Sequence, residues 1–137
     1  MDEVIDADGH ENVTASHGST LELTSDDYLT PAGDCIVGIE ADRVPADFDP
    51  AFVAACQDAE SEIMATLSTA EHETEITGRG HPDLSFKNDR SLVIRTSEYV
   101  DDRTVMIDAD TAAADLDRDL VAALASGASV TMRLIVE

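Results

Sequence analysis

Three residues of the chain carry side chains that could do covalent chemistry together. Cys35 offers a thiol, His17 an imidazole and Asp34 a carboxylate. If they meet in space, Cys35 would act as the nucleophile, His17 as its base and Asp34 as the group that orients the imidazole. No family-specific nucleophile signature surrounds Cys35, however, and Ile36 and Val37 follow it directly. A buried structural thiol is the other interpretation, because cysteine is among the residues most often found in protein cores.

The segment before Cys35 predicts a tight turn. Thr30-Pro31-Ala32-Gly33 has type I turn composition, with proline second and glycine fourth. Asp34 and Cys35 would then leave the turn together. The matching segment later in the chain is three residues shorter and reads Asp101-Asp102-Arg103, so only the earlier segment could carry this chemistry.

Two Gly-His pairs, Gly9-His10 and Gly80-His81, predict matching turns. In one interpretation, glycine supplies a positive φ and histidine bonds to nearby backbone. In the other, the two imidazoles converge and bind a metal or share a ligand, although two histidines alone are a weak metal signal. The candidate ligand-binding residues are His10, His17, Thr30, Gly33, Asp34 and His81. Their spacing, with Cys35 included, matches no standard zinc pattern, so no metal and no particular cofactor is indicated.

These candidates lie within a chain that repeats its own order of residues. Matching Gly9-His10 to Gly80-His81 aligns Leu21 with Leu92 and Tyr28 with Tyr99. After a shift of three positions, several residues of the first copy meet identical residues 68 positions later: Val37, Ile39, Ala41, Asp42, Ala46, Asp47 and Asp49. The sequence therefore predicts two repeats, at about 1–69 and 70–137, called here the N-terminal half and the C-terminal half.

Each half predicts several strands and one short helix. Alternating apolar residues indicate strands at 4–8, 73–77, 63–67 and 130–136 and around Leu21 and Leu92. The apolar runs at 35–40 and 104–108 are typical of buried, central strands. Each half should also contain a further extended segment, which ends near His17 in the N-terminal half and near Asn88 in the C-terminal half. Asp49-Pro50 and Asp117 predict helix starts, and Gly127 a helix end. We expect a β-dominated α+β fold in one domain, with pseudo-two-fold symmetry, closed or nearly closed as a barrel.

Composition narrows the possible functions. The net charge is −22, with 30 acidic residues and 8 lysines and arginines among 137 residues. Such acidity is typical of a protein adapted to molar salt, where the Debye length falls to about 3 Å. It disfavours nucleic-acid binding, which needs clusters of basic residues. No apolar run reaches the roughly 18 residues of a membrane helix, and no signal peptide is indicated. We expect a cytoplasmic protein with two free thiols.

Several short motifs resemble one known family. Leu29-Thr30-Pro31, Gly33-Asp34-Cys35-Ile36-Val37-Gly38 and the two Gly-His pairs resemble the archaeal domain of unknown function family 371 along nearly the whole chain. The resemblance implies an archaeal cytoplasmic protein, here a haloarchaeal member, and implies no activity. The family pattern has basic residues at two positions where this chain has Gly18 and Ala32. If these positions bind an anionic ligand in the family, this chain lacks part of that binding site.

Three functional hypotheses follow. The chain lacks phosphate-binding, dinucleotide-binding and hydrolase motifs, while four arginines of the C-terminal half could bind an anion or neutralise neighbouring acids: Arg79, Arg90, Arg95 and Arg103. We therefore expect a ligand-binding or interaction protein for an anionic metabolite or RNA, with its site between the halves. The alternative is a small hydrolase or transferase that uses Cys35 or a His-Asp pair. A structural or assembly role as a homodimer is the third hypothesis, and a monomer would count against it. The oligomeric state is open at this point between a monomer and a homodimer.

Overall fold

The computed structural model describes residues 1–137 as eight β-strands and two α-helices. The strands are β1 (Asp2–Asp8), β2 (Thr20–Thr24), β3 (Ile36–Gly38), β4 (Glu62–Ser68), β5 (Glu73–Arg79), β6 (Ser91–Arg95), β7 (Thr104–Met106) and β8 (Ser129–Val136). The helices are α1 (Pro50–Cys56) and α2 (Arg118–Ala125), each preceded by a short 3-10 turn, at Pro45–Asp47 and Ala113–Asp115. The fold is α+β and rich in strands, as predicted, and no helix is long and apolar enough to cross a membrane.

The strands follow the alternation of the sequence. Along β8, the side chains of Val130, Met132, Leu134 and Val136 are buried. Such alternation places one face of a strand on the core and the other towards solvent. A single cluster of 33 buried apolar residues, drawn from both halves, forms this core.

Both helices begin where the sequence predicts, and α2 also ends where it predicts. Asp49 accepts a hydrogen bond from the Ala51 amide at 2.8 Å, and Asp117 accepts one from the Asp119 amide at 2.7 Å. These carboxylates satisfy amides that have no partner within the first turn of a helix. After α2, Gly127 adopts a φ of +90°, which residues with a side chain rarely adopt.

The strands form two four-stranded sheets. Sheet A has the order β1-β8-β4-β5, with every pair antiparallel. Sheet B has the order β3-β2-β6-β7, in which β2 and β6 pair antiparallel while the outer pairs are parallel. The prediction that β3 and β7 are central strands was wrong, since both lie at the edges. Their apolar runs reflect burial by the core and by neighbouring connections, rather than pairing on both sides.

The sheets do not form a closed barrel, so the expectation of full closure was wrong. Their edges meet at only two isolated bridges, Asp8 with Ile39 and Arg79 with Ile107. Each bridge consists of two backbone hydrogen bonds of 2.7–3.0 Å. Apart from these bridges, no strand pairing joins the two sheets.

The extended pieces predicted before His17 and Asn88 are also not strands. Ala15 and Phe86 lie in these segments with φ angles of 46° and 53°. A strand requires negative φ, so this backbone conformation interrupts any ladder. Both segments instead form irregular connections that lead into β2 and β6.

Candidate functional site

The two Gly-His turns lie beside different helices. A Cβ atom on Gly9 would lie 2.0 Å from the carbonyl oxygen of Leu124 in α2, and one on Gly80 would lie 2.2 Å from that of Cys56 in α1. Glycine is therefore required by close backbone contact, and the expected positive φ is absent at both positions.

The histidines of these turns bond to nearby backbone, as one interpretation of the sequence predicts. Nδ1 of His10 accepts the Asn12 amide at 3.0 Å, and Nδ1 of His81 accepts the Asp83 amide at 3.0 Å. No hydrogen bond links the two histidines, and neither lines a cavity. Each imidazole therefore stabilises the backbone of its own turn.

His17 holds the backbone that leads into β2. Its Nδ1 accepts the amides of Ser19 at 3.2 Å and Thr20 at 3.1 Å. Asn88 makes the equivalent contacts before β6, where its Oδ1 accepts the amides of the second and third residues after it. Because Nδ1 of His17 is an acceptor, the neutral ring carries its proton on Nε2. Neither ring nitrogen is then free to act as a base.

The Thr30–Gly33 turn lies close to His17 through backbone contacts. The Gly33 amide donates to the Thr30 carbonyl at 3.0 Å, which closes the predicted turn. The carbonyl of Asp34 then accepts the amides of Ser16 at 2.9 Å and His17 at 3.1 Å. The carboxylate of Asp34 makes no hydrogen bond with the protein, so it does not orient the imidazole.

Cys35 lies half-buried beside an acid. Its Sγ is 4.0 Å from Oε1 of Glu22. Burial raises the pKa of the Cys35 thiol, the negative charge of Glu22 raises it further, and a hydrogen bond with Thr20 opposes the change only in part. At neutral pH the thiol therefore keeps its proton, which makes it a poor nucleophile. The structure brings His17, Asp34 and Cys35 into one region without the contacts that a catalytic triad requires.

The residue beside this thiol lines a cavity on the outer face of sheet B, away from the core. The cavity has a volume of about 210 Å³ and both halves contribute to it. Its lining residues are Glu22, Thr24, Asp26 and Ile36 from the N-terminal half, and Asn88, Arg90, Ser91 and Arg103 from the C-terminal half. The cavity is therefore a concave site shared by the halves, and its lining includes none of the predicted site residues.

A network of ion pairs continues from this cavity into the protein. Arg103 contacts Glu22 at 3.5 Å and Asp101 at 3.0 Å. Arg95, which is only 8% exposed, binds the same Asp101 at 3.0 Å and the Thr104 hydroxyl at 2.8 Å. On the opposite wall, Arg90 pairs with Asp26 at 2.6 Å. The arginines of this region thus neutralise neighbouring acids.

The acids of this network are not in equivalent environments. Burial disfavours ionisation of Asp101, yet hydrogen bonds from Arg103 and the charge of Arg95 outweigh it and hold the pKa at about 2. The hydrogen bond from Arg90 lowers the pKa of Asp26. For Glu22 the balance is reversed, because burial raises its pKa and the arginines offset this only in part. Glu22 is therefore the least well stabilised anion of the network.

Sequence reasoning did not select Glu22 or Asp101, and it named Arg103 only as one of four arginines that could bind an anion. One signal was present, since aligning the two halves places Glu22 opposite Val93 on the outward faces of otherwise matching strands. A second was the concentration of arginines in the C-terminal half. Pairing these arginines with acids of the N-terminal half requires knowledge that β2 and β6 are neighbours, and the sequence alone does not show this.

Comparison with known proteins gives two matches along nearly the full length. The model of a family described as a domain of unknown function (DUF371) matches residues 5–137. The chain is also 40% identical over 136 residues to the uncharacterized protein MJ0206 of Methanocaldococcus jannaschii, an alignment that covers 99% of this chain and 100% of that protein. These matches agree with the resemblance seen in the short motifs.

Proposed function

We propose that this chain, which belongs to the DUF371 family, binds a small anionic molecule in the cavity between its two halves. The observation that carries the proposal is the placement of Arg90 and Arg103 on the lining of one concave site. Arginine binds carboxylate and phosphate groups through paired hydrogen bonds. The cavity is smaller than the roughly 300–1,000 Å³ of drug-sized sites, which favours a small ligand.

Both arginines keep donors for a ligand. Arg90 is 62% exposed and donates to Asp26 only through Nε and Nη2. Arg103 is 40% exposed and donates to Asp101 through the same two nitrogens. Since a guanidinium group carries five N–H donors, an anion can bind without breaking either ion pair.

A metabolite is favoured over RNA as the ligand. Binding of a nucleic-acid backbone relies on an extended basic surface, whereas this chain has a net charge of −22. Its two cavity arginines lie in a recess among acidic residues. A compact anion can enter this recess, and a polymer of phosphates would meet repulsion around it.

We infer further that the halves arose by duplication. Both contain four strands and one helix in the same order, and their positive-φ residues match: Ala15 with Phe86, and Glu40 with Asp108. The β2–β6 pairing supports this as well, because the aligned residues Glu22 and Val93 face each other. In such an arrangement the symmetry axis would pass between Glu22 and Val93, next to the cavity, and in this chain only Glu22 supplies a carboxylate there.

The acidic composition supports a proposal about habitat and location. We propose that the protein works in the cytoplasm of a salt-adapted archaeon, where molar cations screen its 30 acidic side chains. Measured unfolding across a range of KCl concentrations would test this. Stability that fails to rise with salt would contradict it.

An NMR titration with inorganic phosphate tests anion binding directly. We expect saturable shifts of backbone amides at Arg90, Ser91 and Arg103, at constant pH and KCl concentration. Arg103→Gln should weaken the interaction about tenfold or more, the scale of one charge-assisted hydrogen bond. Arg133→Gln, which alters an exposed pair with Asp2 on sheet A, should leave it unchanged. Absence of saturable shifts, or an equal loss of phosphate affinity in both variants, would rule out phosphate binding at the proposed site.

A further inference from the structure

We propose that the ligand of this cavity is a zwitterion, a small amino acid or a close chemical relative, whose ammonium group binds Glu22 while its anionic group binds Arg90 and Arg103. The inference rests on the anion binding proposed above and specifies the class of ligand. Its basis is the unused bonding capacity of Glu22 and the balance of charges around the cavity.

Glu22 is a nearly buried carboxylate with few donors. The residue is only 9% exposed, and its single hydrogen-bond donor within the protein is the Cys35 thiol at 4.0 Å. Its nearest cation, Nη1 of Arg103, lies at 3.5 Å, well beyond the roughly 2.7–2.9 Å of a strong charge-assisted bond. Two carboxylate oxygens can accept about four hydrogen bonds, so protein groups use only a small part of the capacity of Glu22.

Asp101, an acid of the same network, has the hydrogen-bond donors that Glu22 lacks. It accepts hydrogen bonds from Arg95 at 3.0 Å, from Arg103 at 3.0 Å and from the Thr104 hydroxyl at 3.1 Å. Asp101 does not line the cavity, whereas Glu22 does. The acid that lacks donors is thus the one that a ligand can reach.

The charges that line the cavity are balanced. Glu22 and Asp26 contribute two negative groups, and Arg90 and Arg103 contribute two positive groups. A ligand with anionic groups only would bring a further negative charge close to both acids, and like charges at such distances repel. A ligand with one group of each sign preserves the balance and gives each wall a partner.

Burial also favours the binding of a cation to the carboxylate of Glu22. Removal of water raises the pKa of this carboxyl above its ordinary value, so its ionised form lacks stabilisation in the free protein. An ammonium group would supply both a charge and N–H donors to that form. The same side chain would then distinguish an amino acid from a simple carboxylic acid.

Matched pairs of small molecules test the inference. The probes are glycine, β-alanine and 4-aminobutyrate, each compared with the acid that lacks its ammonium group: acetate, propionate and butyrate. Binding is followed through the cavity amides by NMR at neutral pH and fixed KCl concentration. We expect at least one amino acid to bind about tenfold or more tightly than its matched acid.

Variants assign this preference to Glu22. Glu22→Gln keeps the shape of the side chain and should abolish the preference, while binding of the simple acid is retained or improved because a negative charge is removed. Glu75→Gln, on the exposed face of β5 in sheet A, should leave the preference unchanged.

The outcomes separate this inference from the proposed function. Equal affinity for the amino acids and their matched acids would overturn the zwitterion proposal and leave anion binding standing. A preference that persists in Glu22→Gln would overturn it as well. If neither series nor phosphate shifts the cavity amides, both proposals are wrong. The comparison of wild-type affinities decides the ligand class even if Glu22→Gln fails to fold.

Discussion

Glu22 and Val93 face each other across the β2–β6 pair at the centre of sheet B. Both are buried on the face of the sheet that points away from the main core, at 9% and 2% exposure. An acid and an apolar side chain therefore face each other across this strand pair, and of the two only Glu22 lines the cavity.

The buried acid predicts an unusual pH dependence. The pKa of Glu22 is raised in the folded protein from its ordinary value of 4.5, so the folded state holds this proton more tightly than the unfolded state. The contribution of Glu22 to stability is therefore lost as pH rises from about that value through the folded pKa. We expect Glu22→Gln to gain stability relative to wild type over this window, as measured by urea unfolding at constant KCl between about pH 4 and pH 8. A difference independent of pH would contradict the assignment.

The ion pairs beneath the cavity predict a difference between two arginines. Arg95 is nearly buried, binds Asp101 and Thr104, and lies with its guanidinium carbon 4.7 Å from the centre of the Tyr99 ring. We expect Arg95→Ala to lower the free energy of unfolding by about 3 kcal/mol, because it removes buried, charge-assisted hydrogen bonds to Asp101 and Thr104. Arg133→Ala removes an exposed pair and should cost about 1 kcal/mol or less. Chemical unfolding measures both changes. Equal losses of unfolding free energy in the two variants would show that burial does not determine the contribution of Arg95 to stability.

The glycines of the two Gly-His turns predict matched sensitivity to a methyl group. Gly9→Ala and Gly80→Ala would each place a Cβ atom within 2.2 Å of a backbone carbonyl oxygen. We expect each to destabilise the protein by about 1–3 kcal/mol, as found for overpacked sites. At Gly18, an added Cβ atom would have no neighbour within 4 Å, so Gly18→Ala should be neutral or slightly stabilising. Thermal unfolding of the three variants makes the comparison, and tolerance of alanine at Gly9 or Gly80 would refute the close contacts.

Both thiols should be alkylated slowly, Cys35 before Cys56. Burial raises the pKa of Cys56 to about 12 and raises that of the half-buried Cys35 as well. We expect iodoacetamide at pH 8 to modify Cys35 more slowly than free cysteine, and Cys56 only upon unfolding. Mass spectrometry of wild type and Cys35→Ala would assign each reaction. A Cys35 that reacts faster than free cysteine would restore the nucleophile hypothesis.

Local patterns in the sequence predicted the elements better than their arrangement. Asp49 and Asp117 identified the helix starts, and period-two alternation identified β8, because these signals depend on neighbouring residues. The edge positions of β3 and β7 and the open sheets depend on pairing between distant segments. For the same reason the chemistry of Cys35 was not predictable: its pKa is raised by burial and by Glu22, thirteen residues away and on a neighbouring strand.

The pairing between β1 and β8 has a consequence for how the chain folds. Asp2 pairs with Ile135, and Ala7 pairs with Val130, so sheet A joins segments that are separated by more than a hundred positions along the chain. Contacts of such high contact order slow folding, because the entropy of closing a long loop is lost before the contact forms. Neither half can complete sheet A without the other. We therefore expect both halves to open in a single cooperative event, with similar rates of global hydrogen exchange.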